Sequence, residues 1–266
     1  MREPLINIAV DAARAAENII IKAFKRLDTI KVSEKKPNDY VTEVDKRVEQ
    51  EIIHIIRKAY PHHSILGEES GELKGEDNDY QWIIDPIDGT RNFIHGFPHF
   101  AISIAVAHKN KLEHGVIYDP LRQELFIASR GKGAQLNDKR MRVSPRTHLN
   151  ECLLGSGFTF RHADRINSSP SRILHAMLPA CGDIRRAGAA TLDLAYVACG
   201  RLDGFWESGL NIWDIAAGIL LVKEAGGIVS DLNGGESYLK TGDVVAANPV
   251  ILRQMLKIIK PQVDEK

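Results

Sequence analysis

Long apolar runs are missing from this chain: nowhere do ~18 consecutive apolar residues occur, the length a helix needs to cross a bilayer, so no membrane span is expected. Charge imbalance is missing too. Lys+Arg and Asp+Glu stand at 35 each, which removes the electrostatic footprint of a nucleic-acid or anionic-membrane partner, and no direct nucleic-acid binding is expected. Cysteine is scarce: Cys152, Cys181 and Cys199 are odd in number and fit no CxxC or Cys/His ligand spacing. They argue against a disulfide framework and for small buried hydrophobes in a reducing, cytoplasmic setting. There is no internal repeat and no low-complexity tract. What is present is 44% hydrophobic and 26% charged residues over 266 positions, enough for one large domain or two intimately packed halves.

The N-terminal segment contains apolar residues, but Leu5, Ile8, Ala12, Ala16, Ile19, Ala23 and Leu27 recur at helical spacing and Asp11, Arg14, Glu17 and Lys22 interrupt them. The pattern predicts an amphipathic core helix rather than an export signal. "KVSEKKPNDYVTEVD" reads as a loop or hairpin, followed by a second helix with Thr42 as N-cap, Val44, Val48, Ile52, Ile55 and Ile56 on one face, and Pro61 as its stop. Short strands follow at "SILGEE", "QWIIDP", "FAISIAVAH", "KLEHGVIYD" and "ELFIASR", the last two joined by the turn "PLRQ". Beyond about residue 150, "TLDLAYVACG" and "WDIAAGILLVKEAGG" read as helices, with strands at "LDGFWES" and "GIVSD". The expectation is an α+β / α/β layered single unit over residues 1–266. Its halves would be 1–150, a helix pair with an antiparallel sheet, and 151–266, an α/β half, with no flexible linker between them.

Carboxylates stand where these elements end. Glu68 in "GEES", Asp85 and Asp88 in "IIDPIDGTRNF" and Asp214 in "NIWDIAAG" each follow or open an apolar run, while Glu69, Ser70 and Glu72 read as a solvated loop. Acidic groups beside buried strands cost several kcal/mol unless paired or metal-bound. An all-oxygen set of this kind suits Mg²⁺, which leans on carboxylates plus substrate phosphate, and its size suits two ions better than one. Pro86 bends the chain after Asp85, and Gly89 permits a tight turn that frees its own N–H and that of Thr90 to face an anion at a helix start. A lone "DG" is only a turn and a lone Asp214 only a helix-start residue. Their combination carries the chemistry.

Taken together, "GEES", "WIIDPIDGTRNFIHGFP" and "WDIAAGILLVKEAGG" resemble the three signature segments of the inositol monophosphatase family, in its bacterial inositol-1-monophosphatase branch. "NDYVTEVD", "RRAGAATLDLAYVACGRLDGFWE" and the chain length fit as well, so the resemblance covers essentially the whole chain. It implies an α-β-α-β-α sandwich of the sugar-phosphatase type, a homodimer, lithium sensitivity, and Mg²⁺-assisted in-line attack of water on a phosphomonoester with no covalent nucleophile. Carried over residue by residue, it makes Glu68, Asp85 and the Ile87 carbonyl ligands of a first Mg²⁺, and Asp85, Asp88 and Asp214 ligands of a second. A more weakly held third ion would sit near Glu68. Asp45 and Thr90 would orient the attacking water, the Gly89 and Thr90 amides would meet phosphate oxygens, and Glu207 and Ala190 would contact substrate hydroxyls. Either Lys35 or Lys36 would approach the metals.

The same resemblance leaves alternatives: fructose-1,6-bisphosphatase, 3′-phosphoadenosine phosphatase or histidinol-phosphatase activity, decided by the pocket around Glu207 and residues 158–190, or a bacterial member that also partners the transcription machinery. Zinc at His95 and His99 is not expected, because Pro98 breaks the helix that would align them and no third ligand follows. "GKGAQLN" and "EAGGIVSDLNGG" lack the context of a nucleotide loop, and "RHADR" and the Arg185–Arg186 pair read as surface charge facing solvent or else a subunit partner.

Overall fold

The computed structural model describes residues 3–36, 39–157 and 168–263, with the side chains of residues 34–40 outside the description. The choice between Lys35 and Lys36, and the "RHADR" segment, lie there. Helix α1 (Pro4–Phe24) opens on proline, whose missing N–H is unneeded at a first helical position. It ends before Leu27, which belongs to a separate 3-10 turn. Its buried stripe runs through Ile6, Ala9, Val10, Ala12, Ala13, Ala16 and Ile20; Ala12 and Ala16 are on the expected line, but Leu5, Ile8, Ile19 and Ala23 pack only along its flank, the stripe being turned toward a second line about one residue away. Both lines are apolar, and the alanine-rich one lets the neighbouring helix come close. Strands β1 (Val32–Lys36) and β2 (Asp39–Thr42) form the expected antiparallel hairpin and lead into α2 (Glu43–Ala59). Thr42 caps α2: its Oγ1 accepts from the N–H groups of Val44 and Asp45 at 3.1 and 3.3 Å, and Asp45 Oδ2 accepts the Thr42 N–H at 2.9 Å.

Strands β3 (His63–Gly67), β4 (Gly71–Leu73) and β5 (Asp77–Asp88) follow, then the short helix α3 (Thr90–Ile94) and the meander β6 (Ala101–His108), β7 (Lys111–Asp119), β8 (Glu124–Ser129), β9 (Gly133–Leu136) and β10 (Lys139–Arg140). They build an eight-stranded sheet in the order β10-β9-β8-β7-β6-β5-β3-β4, antiparallel except for the β3–β5 pair. The chain continues through β11 (Leu153–Ser156), α4 (Ser169–Met177), β12 (Asp183–Arg185), α5 (Ala190–Ala198), β13 (Gly204–Glu207), α6 (Ile212–Glu224), β14 (Ile228–Ser230), α7 (Tyr238–Thr241), β15 (Val244–Ala247) and α8 (Pro249–Ile259). Its strands form a five-stranded sheet, β12-β11-β13-β15-β14.

Five layers result. Helices α1 and α2 cover one face of the large sheet, α5 and α6 lie between the two sheets, and α4 and α8 close the far side. The large sheet is buried on both faces, so β6 reads as a continuous apolar run. Ile102, Ile104 and Val106 point to the α1/α2 core, while Ala101, Ala105 and Ala107 point to the α5/α6 core. Residues 215–222 of α6 are all buried, because a helix between two sheets must be apolar all round. Among the described residues no helix is long and apolar enough to cross a membrane. The cysteines are all free, with Cys152 buried and Cys181 and Cys199 half-buried.

Candidate active site

The end of β5 explains how two aspartates three positions apart face one way. On a regular strand residues i and i+3 point to opposite faces. Here Asp85 pairs with Ser103 and Asp88 with Ala101, so β5 carries one more residue than β6 over the same interval. That bulge turns both carboxylates to one side. Ile87 N–H folds back to donate to Asp85 Oδ1 at 3.0 Å.

Two further segments bring their acids alongside. In the parallel β3–β5 ladder Gly67 pairs with Ile84, and the Glu68 N–H continues it by donating to the Ile84 carbonyl at 3.1 Å, which sets Glu68 beside Asp85. Ser103 Oγ donates to the Trp213 carbonyl at 3.2 Å, drawing the start of α6, and with it Asp214, against β6. Asp214 Oδ2 accepts the Asn211 N–H at 2.7 Å, a helix-start bond. Asp88 Oδ2 accepts the N–H and the hydroxyl of Thr191 at 2.7 and 2.6 Å, so it sits on the first turn of α5, where Ala190 is the opening residue.

Electrostatics record the crowding. Burial, then Glu68, Asp88 and Asp214, raise Asp85 well above the usual carboxylate range. Burial first, then Asp88 and Glu68, raises Asp214 in the same way. Asp88 is raised to about 6 by burial, against the lowering effect of its Thr191 bonds and of the Gly89 N–H. The Gly89 amide expected to be free for an anion therefore leans toward Asp88. Among the described residues no group of three or more His, Cys, Asp or Glu side chains is already arranged to hold a metal ion. The carboxylates are gathered, not closed around a point.

Beside them stands a second cluster. Asp45 is fully buried; its Oδ2 takes the backbone N–H and the hydroxyl of Thr42, and its Oδ1 lies 3.0 Å from Thr90 Oγ1. Thr90 Oγ1 also lies 3.1 Å from the Ile87 carbonyl, so one hydroxyl bridges the helix α2 carboxylate and the β5 bulge. Gly89 makes the turn between them. Its φ of 95° is in the left-handed region, and a Cβ there would meet the His99 carbonyl at 3.0 Å and Phe100 at 3.2 Å.

Glu207, at the end of β13, is buried and raised to about 8, by burial first and then by Asp88, while Arg186 opposes the rise. Three participants were not foreseen. Asp193, on α5 and buried, is pushed well up by burial, then by Glu207 and Asp88. Arg186 is exposed, as expected of surface charge, yet it projects its field onto both Asp193 and Glu207. Glu49 is buried on α2 and binds the loop expected to be solvated: the N–H groups of Glu69 and Ser70 donate to its carboxylate. The signal for Glu49 lay in its position, since a charge at 49 falls on the stripe of Val48, Ile52 and Ile56. His99 is buried with Nε2 lacking a hydrogen-bond partner, and His95 is exposed at the end of α3.

The profile of the inositol monophosphatase family matches residues 1–264. The Nus factor SuhB of Pseudomonas aeruginosa is 53% identical over 262 residues, 97% of each chain, and that of Escherichia coli K12 is 52% identical over 262 residues, 98% of each. The solved extragenic suppressor protein SuhB from Bartonella henselae superposes with a TM-score of 0.94 at 42% identity, covering 97% of this chain and 99% of that one. The inositol monophosphatase from Anabaena gives 0.85 at 37% identity, over 98% and 96%. A family match over residues 1–264, full-length sequence agreement and a closely superposing fold have one explanation: the chain belongs to the inositol monophosphatase family.

Proposed function

We propose that the chain is a Mg²⁺-dependent phosphomonoesterase that hydrolyses inositol 1-phosphate to inositol and phosphate, with residues 1–266 working as one unit, as a cytoplasmic homodimer. The observation that carries this reading is the meeting of Glu68, Asp85, Asp88 and Asp214 beside the Asp45–Thr90 pair. Four half-buried or buried carboxylates fit a hard cation chemically: all donors are oxygen, and the repulsion that Asp85 and Asp214 feel from their acidic neighbours is what such an ion offsets. Glu68, Asp85 and the Ile87 carbonyl would hold one Mg²⁺, and Asp85, Asp88 and Asp214 another. When bound, the ions polarise the phosphoryl group and offset the charge that develops on it.

The protein's own groups do the rest. The Thr90 hydroxyl donates to Asp45, which leaves its lone pairs to accept from a water and aim it; Asp45, raised by burial, takes the proton that water gives up. The Thr90 amide is left to orient the phosphate, while that of Gly89 steadies Asp88. Thr191 fixes Asp88 by two bonds, so the carboxylate cannot swing when substrate enters. Glu207, neutral at pH 7 with its value near 8, can both donate to and accept from a ring hydroxyl, with the start of α5 at Ala190 against the same ring.

Phosphate release from inositol 1-phosphate, run beside fructose 1,6-bisphosphate, 3′-phosphoadenosine phosphates and histidinol phosphate, with Mg²⁺ and with chelator, tests this. Chelator-sensitive release fastest on inositol 1-phosphate supports it; faster release on another ester keeps the chemistry and changes the substrate. A second reading rests on relatives at about half identity that are named Nus factors: the chain also binds a protein of the transcription complex. Binding to purified transcription-complex proteins by an Asp85→Asn variant, inactive as an enzyme, would separate the two roles.

A further inference from the structure

We infer that Glu49 is a positioning residue: its carboxylate fixes the turn that carries Glu68 and thereby sets how tightly a divalent cation is held. The inference rests on the phosphatase reading above. Glu68 lies beyond the last residue of β3, on the turn into β4, where strand pairing has run out. Its own N–H still reaches the Ile84 carbonyl at 3.1 Å, but the next two amides have left the ladder. Glu49 takes both. The Glu69 N–H donates to Oε2 at 2.9 Å and the Ser70 N–H to Oε1 at 2.7 Å, one amide per oxygen.

The carboxylate is seated on the backbone below it. A Cβ on Gly67 would stand 2.5 Å from Glu49 Oε2, so only glycine leaves room for this approach. Glu49 is 2% exposed, too enclosed to meet a substrate itself. It also lies one helical turn after Asp45, on the same face of α2. That face therefore holds two parts of the site at once: Asp45 holds Thr90 at the far side of the β5 bulge, and Glu49 holds the Glu68 turn. A buried carboxylate is costly unless fully bonded, and two charge-assisted bonds to neighbouring amides are the kind of pairing that offsets the cost.

Glu49→Gln is the discriminating change. The carboxamide keeps the shape but has one acceptor oxygen, so its NH₂ must face one of the two amides. Mg²⁺ alone is titrated by calorimetry into wild type and variant, and hydrolysis is followed as a function of Mg²⁺. Changes to groups that orient metal ligands weaken metal affinity by about 10–100-fold, and a loss of at least about tenfold is expected here, with turnover at saturating Mg²⁺ largely recovered. Unchanged Mg²⁺ affinity, or a fall in turnover that saturating Mg²⁺ does not relieve, overturns the inference. A wild-type protein with neither Mg²⁺ binding nor hydrolysis overturns the phosphatase reading instead. Melting in chelator checks that the variant is folded. If Glu49→Gln does not melt cooperatively, Gly67→Ala, which displaces the carboxylate without removing its charge, is judged by the same two outcomes.

Discussion

Replacing Asp88 by Asn should stabilise the protein in chelator and destabilise it, relative to wild type, in Mg²⁺. Asp88 is raised from 3.8 to about 6, first by burial. That is roughly two units, or about 3 kcal/mol, by which the folded state disfavours the ionised form. Part of the side chain remains open to water, so we keep ~1–2 kcal/mol of it after solvent screening. The sign follows from proton counting. Between 3.8 and about 6 the folded chain binds the proton more tightly than the unfolded one, so wild-type stability falls as pH rises through this window and the deficit is complete above it. Asparagine removes the charge but keeps one oxygen, enough to accept both Thr191 bonds. In chelator at mildly alkaline pH the variant should melt about 2–8 °C above wild type, given roughly 2–4 °C per kcal/mol for a chain of this size. The gap should close as the pH approaches the ordinary Asp value. With Mg²⁺ at a hundred times its dissociation constant, wild type gains about 2.7 kcal/mol and the variant little, so the order reverses. Differential scanning calorimetry reads all of these states. A variant that melts at or below wild type in alkaline chelator refutes the argument that the fold holds the Asp88 carboxylate at a cost set by its burial.

The pocket and the buried histidine give further tests. Glu207→Gln should keep KM for inositol 1-phosphate within about twofold, because the amide donates and accepts as the neutral acid does, whereas Glu207→Leu should raise it about tenfold or more and leave hydrolysis of p-nitrophenyl phosphate intact; equal damage from both would mean that charge is what the ring needs. His99 is lowered to about 4, first by burial and then by Arg122, so the unfolded chain binds the extra proton between about 6.5 and 4 and stability is lost as pH falls through that range. The ceiling is about 3 kcal/mol, and urea midpoints for His99→Gln should be correspondingly less acid-sensitive; parallel curves for variant and wild type would exclude His99. Lithium should inhibit hydrolysis at millimolar levels in competition with Mg²⁺, and inhibition curves that do not shift with Mg²⁺ would place lithium elsewhere.

What sequence reveals here is set by how local the cause is. Thr42 as a cap, the hairpins and the strand ends at Glu68, Asp85 and Asp88 depend on neighbours in the chain, and they read directly from spacing. The bulge that turns Asp85 and Asp88 to one side was hidden, because it is a count of residues against β6 and not a property of "DPID" alone. Asp193 and Arg186 were missed for a similar reason: they matter through Glu207, which another strand delivers. The rotation of the α1 stripe reflects two apolar lines one residue apart, between which only the packing partner chooses.

The sandwiched position of α6 has a consequence for how labour is divided between its two ends. Its first turn delivers Asp214 to the rim where β3, β5 and β13 finish. Its last residue, Glu224, takes the Gly131 and Gly133 N–H groups of the β8–β9 turn at 2.8 Å each, near the Glu3–Lys132 ion pair at 2.8 Å. One end of the helix is left electrostatically strained and the other is fully satisfied. Stability can thus be altered at the quiet rim without disturbing the rim where the acids gather.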